Sequence, residues 1–215
     1  MVISLIFTVH EELGLANVSE LHAILLRARP EVIFLEVPSA AFSDFYLTGR
    51  RQNLESNAIN RYLKDHPQAK LIPVDLPTPE REFFEDHEYL CARVRETSLE
   101  YRQLLSLDGE RLRAFGFAYL NSEYCSIHWS NVYAEILRTV ERLGEPGLAK
   151  IYLSWEKVNE CREREMMVAI QKYCAVNTFE RGVFLVGSAH RQRIIEISSE
   201  QSVFNCSVLK VSGDA

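Results

Sequence analysis

Apolar runs of strand length recur along the chain, and segments with helical periodicity separate them. Five runs are nearly continuous in apolar character or rich in β-branched residues, and they lie at 2–9, 31–37, 69–76, 182–188 and 202–211. Buried strands that alternate with helices are typical of a mostly parallel sheet covered on both faces. The sequence therefore predicts a single α/β domain over residues 1–215, with a central sheet of about five strands flanked by helices.

A long helical segment separates the third predicted strand from the fourth. Between about residues 78 and 180 the apolar residues repeat at helical spacing, and no strand pattern interrupts them. No internal repeat, low-complexity tract or Gly/Ser-rich linker divides the chain. We therefore expect an insertion of helices within one domain, packed over one end or face of the sheet.

Charge and cysteine content exclude several classes of protein. Thirty acidic against 24 basic residues give a net charge of -6, which disfavours nucleic acid or an anionic membrane as the main partner. No apolar run approaches the roughly 20 residues of a membrane helix, and the N-terminus lacks the basic start of a signal peptide. The five cysteines form no C-x-x-C pair, which predicts reduced thiols in a cytoplasmic protein.

Four of the predicted strands finish on an ionisable residue. Histidines follow the first and fourth strands at His10 and His190, and carboxylates close the second and third at Glu36 and Asp75. Ligands of open α/β sheets bind outside the carboxyl ends of the strands, so we expect these four side chains to share one site. Mixed imidazole and carboxylate ligands suit a divalent Mn, Fe, Co or Zn ion.

Each of these residues also has a structural interpretation. Gly187, Ser188 and Ala189 allow a tight turn into a helix, whose positive end would keep the imidazole of His190 neutral; the alternative is a hydrogen-bonded structural histidine. Glu36 would otherwise be an exposed strand end, and Asp75 a helix cap.

Charged residues near the predicted site are further candidates. Glu11 and Glu12 follow His10 and belong either to the site or to a solvated loop. The run "RERE" at 162–165 is typical of an exposed helix face, although the neighbouring apolar stripe indicates that at least one arginine points inward. The chain has no G-x-S-x-G, P-loop, G-x-G-x-x-G or H-E-x-x-H motif.

Four short motifs, in order, resemble the TraB/PrgY–Tiki superfamily, which is more loosely related to ChaN-like haem-binding lipoproteins and erythromycin esterases. The family's first motif, Gly-Thr-x-His, is similar to residues 7–10, and "PEVIFLEV" at 30–37 is similar to its P-x-V-x-x-E-L. Its helical E-R-D resembles residues 163–165, and its closing Gly-x-Gly-His resembles "GSAH" at 187–190. The chain departs from the pattern at Phe7, at Val37-Pro38 and at Ala189.

The resemblance implies this α/β fold and leaves two classes of function open. In the first, a hydrolase cleaves a small-molecule ester or a peptide; His10, Glu36, Asp75 and His190 hold the metal, or a metal-free site activates water directly. Glu11 or Glu12 would then act as general base, and Arg164 would neutralise a developing oxyanion. In the second, a non-catalytic module binds haem or another small molecule. A homodimer is the default expectation for either class.

Overall fold

A five-stranded, all-parallel sheet forms the centre of the computed structural model, which describes residues 1–200 and 205–211. Its strands, in chain order, are β1 (Val2–Thr8), β2 (Val32–Pro38), β3 (Lys70–Asp75), β4 (Arg181–Gly187) and β5 (Asn205–Val208). They lie side by side in the order β3-β2-β4-β1-β5. The predicted α/β class is confirmed, while residues 202–204 of the predicted fifth strand lie outside the described residues.

Eight α-helices accompany the sheet in the part of the chain that is described. They are α1 (Val18–Ala28), α2 (Phe42–Tyr46), α3 (Leu54–Asp65), α4 (Arg81–Thr97), α5 (Leu99–Leu120), α6 (Glu123–Leu143), α7 (Pro146–Val176) and α8 (Arg191–Glu200). A 3₁₀ turn, Ser188–His190, joins β4 to α8. Helices α4–α7 form the predicted insertion between the third and fourth strands.

Both faces of the sheet are covered, as the continuous apolar strands predict. Successive residues of β1 point to opposite faces, so Ile6 packs with α1, α3 and the adjoining ends of α5 and α6, whereas Leu5 and Phe7 pack with α7 and α8. A third apolar cluster lies entirely among α4–α7. The helical insertion therefore has a core of its own and also supplies α7 to one face of the sheet. None of the described helices combines the length and apolarity that a membrane crossing requires.

The loop after β1 is held against a kink in α5 by two glycines. Gly116 has a φ of 48°, and a Cβ there would lie 2.5 Å from the carbonyl carbon of Leu15. Gly14 has a φ of 59°, and a Cβ there would lie 2.5 Å from the backbone of Arg113. Because only glycine adopts this backbone region without strain and allows so close an approach, the two segments interlock. The loop that follows His10 is therefore fastened to the helical insertion.

Candidate functional site

A cavity of about 550 Å³ opens at the carboxyl edge of the sheet. The strand order β3-β2-β4-β1 brings Asp75, Glu36, His190 and His10 to this edge from four neighbouring strands, and all four side chains line the cavity. The position agrees with the general location of ligand sites in open α/β sheets. The order of the strands therefore places the four side chains around one cavity. Helices α4, α6, α7 and α8 supply other parts of the wall.

Arg162, on α7, neutralises both carboxylates of the second and third strands. Its Nε and Nη2 donate to Asp75 at 3.1 and 2.7 Å, and Nη2 also donates to Glu36 at 2.9 Å. The side chains of Glu36 and Asp75 are 9% and 5% exposed, so their charges have little access to solvent. Buried carboxylates of this kind require a cation or several hydrogen-bond donors. The guanidinium of Arg162 is that cation.

His190 is held between two buried carboxylates. Its Nδ1 lies 2.6 Å from Oε1 of Glu163, and its Nε2 lies 3.2 Å from Oε1 of Glu36. Burial by itself would lower the pKa of His190, but the charge of Glu36 and the hydrogen bonds to both carboxylates raise it to about 9. At neutral pH the ring therefore carries a proton on each nitrogen. The neutral imidazole expected from the nearby helix end is wrong, because two carboxylates outweigh one helix terminus.

The carboxylate of Glu36 is correspondingly stabilised in its charged form. Burial favours the neutral acid, but the charge of His190, its hydrogen bond and the guanidinium of Arg162 hold the pKa of Glu36 well below its usual range. The amide of Gly187 adds a hydrogen bond of 2.6 Å to Oε2. Glu36 is therefore an anion at every pH at which the protein is normally handled. Glu36 therefore bridges Arg162 and His190, and it has no proton to donate.

His10 forms a separate pair with Glu55 of α3. Nδ1 of His10 lies 3.0 Å from Oε1 of Glu55, and the hydroxyl of Thr8 donates to the same oxygen at 2.8 Å. The carboxylate is buried, with its side chain 8% exposed, whereas the imidazole is 60% exposed. The hydrogen bond to Glu55 raises the pKa of His10 to about 9. A buried carboxylate thus orients the ring, and no described residue forms a hydrogen bond with Nε2.

The start of α3 places Glu55 beside His10. Asn53 and Ser56 form a reciprocal capping box, in which Asn53 accepts a hydrogen bond from the amide of Ser56 and Ser56 accepts one from the amide of Asn53. The amide of Leu54 donates to the carbonyl oxygen of His10 at 2.9 Å. Both the backbone and the side chain of His10 are therefore fixed by the first turn of α3.

The remaining predicted residues lie away from these contacts. Glu11 and Glu12 are exposed in the loop after His10, and neither lines the cavity. Arg164 is also exposed, with its side chain 61% accessible, and it pairs with Glu160 one turn earlier on α7. The inward-pointing arginine of the "RERE" run is Arg162. The structure therefore brings together the four strand-end residues and leaves these three candidates outside the ion-pair network.

Helical periodicity identifies Arg162 as the inward-pointing arginine, and it would also have identified two residues that the sequence reading missed, Glu163 and Glu55. Arg162 and Glu163 precede the buried Met166 and Met167 by four positions, so each shares a helix face with a core residue. Glu55 precedes the buried Ile59 by four positions on α3 in the same way. A charged residue in phase with a buried apolar stripe is the signal that distinguishes these side chains from solvated ones.

Searches of protein-family models, of curated proteins and of solved structures each found no match to this chain. The resemblance to the TraB/PrgY–Tiki superfamily therefore stays a prediction. The site has to be interpreted from its own chemistry.

Three of the predicted metal ligands, Glu36, Asp75 and His190, are engaged with one another or with Arg162, whereas His10 pairs with Glu55. A metal-binding histidine needs a free lone pair, but both ring nitrogens of His190 face carboxylates. Glu36 and Asp75 already share the charge of Arg162. Among the described residues no group of three or more His, Cys, Asp or Glu side chains is arranged to hold a metal ion. As arranged, these residues do not fit a divalent metal, and His190 does not fit an axial haem ligand.

Proposed function

We propose that this protein is a hydrolase that activates water with the His10–Glu55 pair at the carboxyl edge of the sheet. The observation that carries the proposal is the buried Glu55 carboxylate on Nδ1 of His10, a residue that lines a cavity of about 550 Å³. A carboxylate on one ring nitrogen fixes the tautomer and leaves the other nitrogen as a base. This geometry supports a metal-independent route.

In the proposed reaction, neutral His10 accepts a proton from water at Nε2 while the water oxygen attacks the carbonyl carbon of an ester. The bond to the leaving alcohol then breaks, and the imidazolium returns its proton to that alcohol. Glu55 stabilises the imidazolium formed in between. The ester is the only compound consumed besides water, so the step needs no other reactant.

Tyr133 is the candidate donor to the developing oxyanion. Tyr133 lines the cavity, and its hydroxyl donates to the carbonyl oxygen of Ala189 at 3.4 Å, longer than a usual O–H···O hydrogen bond. Burial, and then the negative charge of Glu163, raise the pKa of Tyr133, so the phenol keeps its proton. A neutral phenol with a weak partner can turn towards an oxyanion. Arg162 and His190 are already bound to carboxylates, so neither is free to bind the oxyanion.

A hydrolysis screen with matched variants tests this proposal. We expect wild-type protein to hydrolyse members of a panel of aryl esters, lactones and short peptides. His10→Asn is expected to lose at least about 100-fold in kcat/KM, because it removes the general base. His66→Asn also removes an imidazole, but one that stacks on Tyr62, and serves as the control. Equal activity of His10→Asn and wild type would contradict the proposal; Glu11→Gln, Glu12→Gln and Arg164→Leu in the same assay test the other candidates.

The metal and haem predictions are tested separately. Elemental analysis of protein purified without a metal-affinity tag, together with a His10→Ala/His190→Ala double variant, would detect a bound Mn, Fe, Co or Zn ion. Near-stoichiometric metal that is lost in the double variant would replace the metal-independent route with a metal-dependent one. Absence of hydrolysis together with tight haem binding would favour the non-catalytic binding module. We also propose a cytoplasmic location, which the five free cysteines support.

A further inference from the structure

The walls of the cavity carry an excess of negative charge. Its carboxylates outnumber its cationic side chains even when both imidazoles are protonated; they are Glu36, Asp75, Glu156, Glu160, Glu163 and Glu196, against Arg162, Arg193, His10 and His190. Both guanidiniums are also occupied. Arg162 binds Glu36 and Asp75, and Arg193 lies 3.0 Å from Glu160 and 3.9 Å from Glu163. An anionic ligand would find no cation in the cavity that is not already paired with a carboxylate.

An aromatic wall faces the same space and is an independent feature. Trp155 and Tyr133 line the cavity and pack together with their ring centroids 5.3 Å apart. His87 stacks on the indole of Trp155 at 4.9 Å, with the two rings nearly parallel. Burial lowers the pKa of His87, so this ring is neutral and does not repel a positive charge near the indole. Electron-rich faces backed by a neutral ring attract organic cations.

Glu156 lines the same cavity as this aromatic wall and follows Trp155 in sequence. No described residue forms an ion pair with Glu156, whereas Glu160, one turn later, is paired with Arg164. An aromatic surface with a free carboxylate at its edge is the combination that recognises an ammonium group. The carboxylates of Glu36, Asp75 and Glu163 outnumber their partners Arg162 and His190, so they add to the negative potential of the cavity.

We propose that the substrates of this site carry an organic cation, an ammonium group bound between Trp155, Tyr133 and Glu156. This inference rests on the proposed hydrolase, since it names the class of ester that the His10–Glu55 pair would act on. The ester carbonyl lies towards His10, and the ammonium group lies towards α7. Selectivity then follows from charge and not from size, because a neutral group of equal shape loses both attractions.

A pair of substrates of equal shape tests the charge requirement. Acetylthiocholine and S-(3,3-dimethylbutyl) thioacetate differ in a quaternary nitrogen against a quaternary carbon. We expect kcat/KM to be about tenfold or more in favour of the cationic ester, and the preference to shrink as NaCl is added. Glu156→Gln should reduce the preference because the carboxylate charge is lost, and Trp155→Leu should reduce it because the indole face is lost. Glu141→Gln, which removes a carboxylate of α6 outside this cavity, should retain it.

The outcomes separate this inference from the proposed function. Hydrolysis of both esters at equal rates, or faster hydrolysis of the neutral one, would overturn the cation preference and leave the hydrolase standing. If neither ester is hydrolysed, calorimetric titration with choline and with 3,3-dimethylbutan-1-ol decides the matter. Tighter binding of choline, weakened in Glu156→Gln, would support the cation site without a reaction. Equal binding, or no binding of either at millimolar concentration, would overturn it.

Discussion

Oε1 of Glu55 lies 3.0 Å from Nδ1 of His10 and accepts a second hydrogen bond, from Thr8, at 2.8 Å. The carboxylate is buried and the imidazole is largely exposed, so the charge that orients the ring is shielded from solvent while the opposite ring nitrogen is accessible. Electrostatic interactions are stronger where water is excluded. Glu55 is therefore the residue that raises the pKa of His10.

Replacing Glu55 with Gln is expected to shift the pH dependence of hydrolysis. The base is the neutral form of His10, so kcat/KM should rise with pH through the pKa of His10, at about 9. Glu55→Gln removes the negative charge, and the rising limb should move down by more than about one pH unit, towards the ordinary histidine value of 6.5. NMR titration of the His10 ring checks the same shift without a substrate. An unchanged ring pKa in the variant would contradict this role of Glu55.

Two arginines two residues apart should differ greatly in their effect on stability. Arg162→Leu leaves the buried carboxylates of Glu36 and Asp75 without their guanidinium, and we expect a loss of about 3–5 kcal/mol in the free energy of unfolding. Arg164→Leu removes one exposed pair with Glu160 and should cost less than about 1 kcal/mol. Urea denaturation of both variants measures the difference. Similar losses for the two would show that Arg162 does not hold the strand-end carboxylates together.

The stability of the protein should fall as the pH rises from about 6.5 to above 9. The pKa of His190 is raised from 6.5 in the unfolded chain to about 9 in the fold, so the folded state binds more protons across this interval. Its contribution is complete below pH 6.5 and is lost as the pH rises through 9, by up to about 3 kcal/mol. Urea denaturation at a series of pH values measures this slope. His190→Gln should reduce the slope and leave the part that comes from His10, whose pKa is also raised to about 9. An equal slope in the variant would assign the pH dependence to another group.

Gly116→Ala is expected to separate the loop after His10 from the helical insertion. The new methyl group would meet the backbone of Leu15 at about 2.5 Å in a backbone region that alanine avoids, so a loss of more than about 2 kcal/mol is expected. Gly147→Ala is the matched control, because nothing lies within 4 Å of its added Cβ and φ is not in the left-handed region. It should be neutral or slightly stabilising. Thermal denaturation of both variants makes the comparison.

The strand-end residues were predictable from the sequence, because parallel strands bring their carboxyl ends to one edge whatever the packing of the helices. It was enough to recognise the four strands at whose carboxyl ends these residues lie; they are His10, Glu36, Asp75 and His190. What those residues bind was not predictable in the same way. A carboxylate beside a histidine suggests a metal ligand until the position of a guanidinium is known.

Helix rotation is the part that the strand pattern does not specify. Arg162 points inward and Arg164 outward because of the phase of α7 against the sheet, which is set by the packing of Met166 and Met167. The contact between Glu55 and His10 depends likewise on the phase of α3 against β1. One residue of error in such a phase turns a side chain by about 100°. Sequence reasoning therefore identified the edge of the site but not the charges that complete it.

The position of β4 determines when the site can be assembled during synthesis. β4 lies between β2 and β1, yet it leaves the ribosome only after the whole helical insertion. Until then β1 and β2 have no hydrogen-bonding partner in the gap between them, and two apolar strand edges stay open. Contacts of such long sequence separation form slowly and favour aggregation of incomplete chains. The nascent protein is thus expected to depend on holding chaperones until β4 emerges, and His190 reaches Glu36 only when β4 pairs with β2.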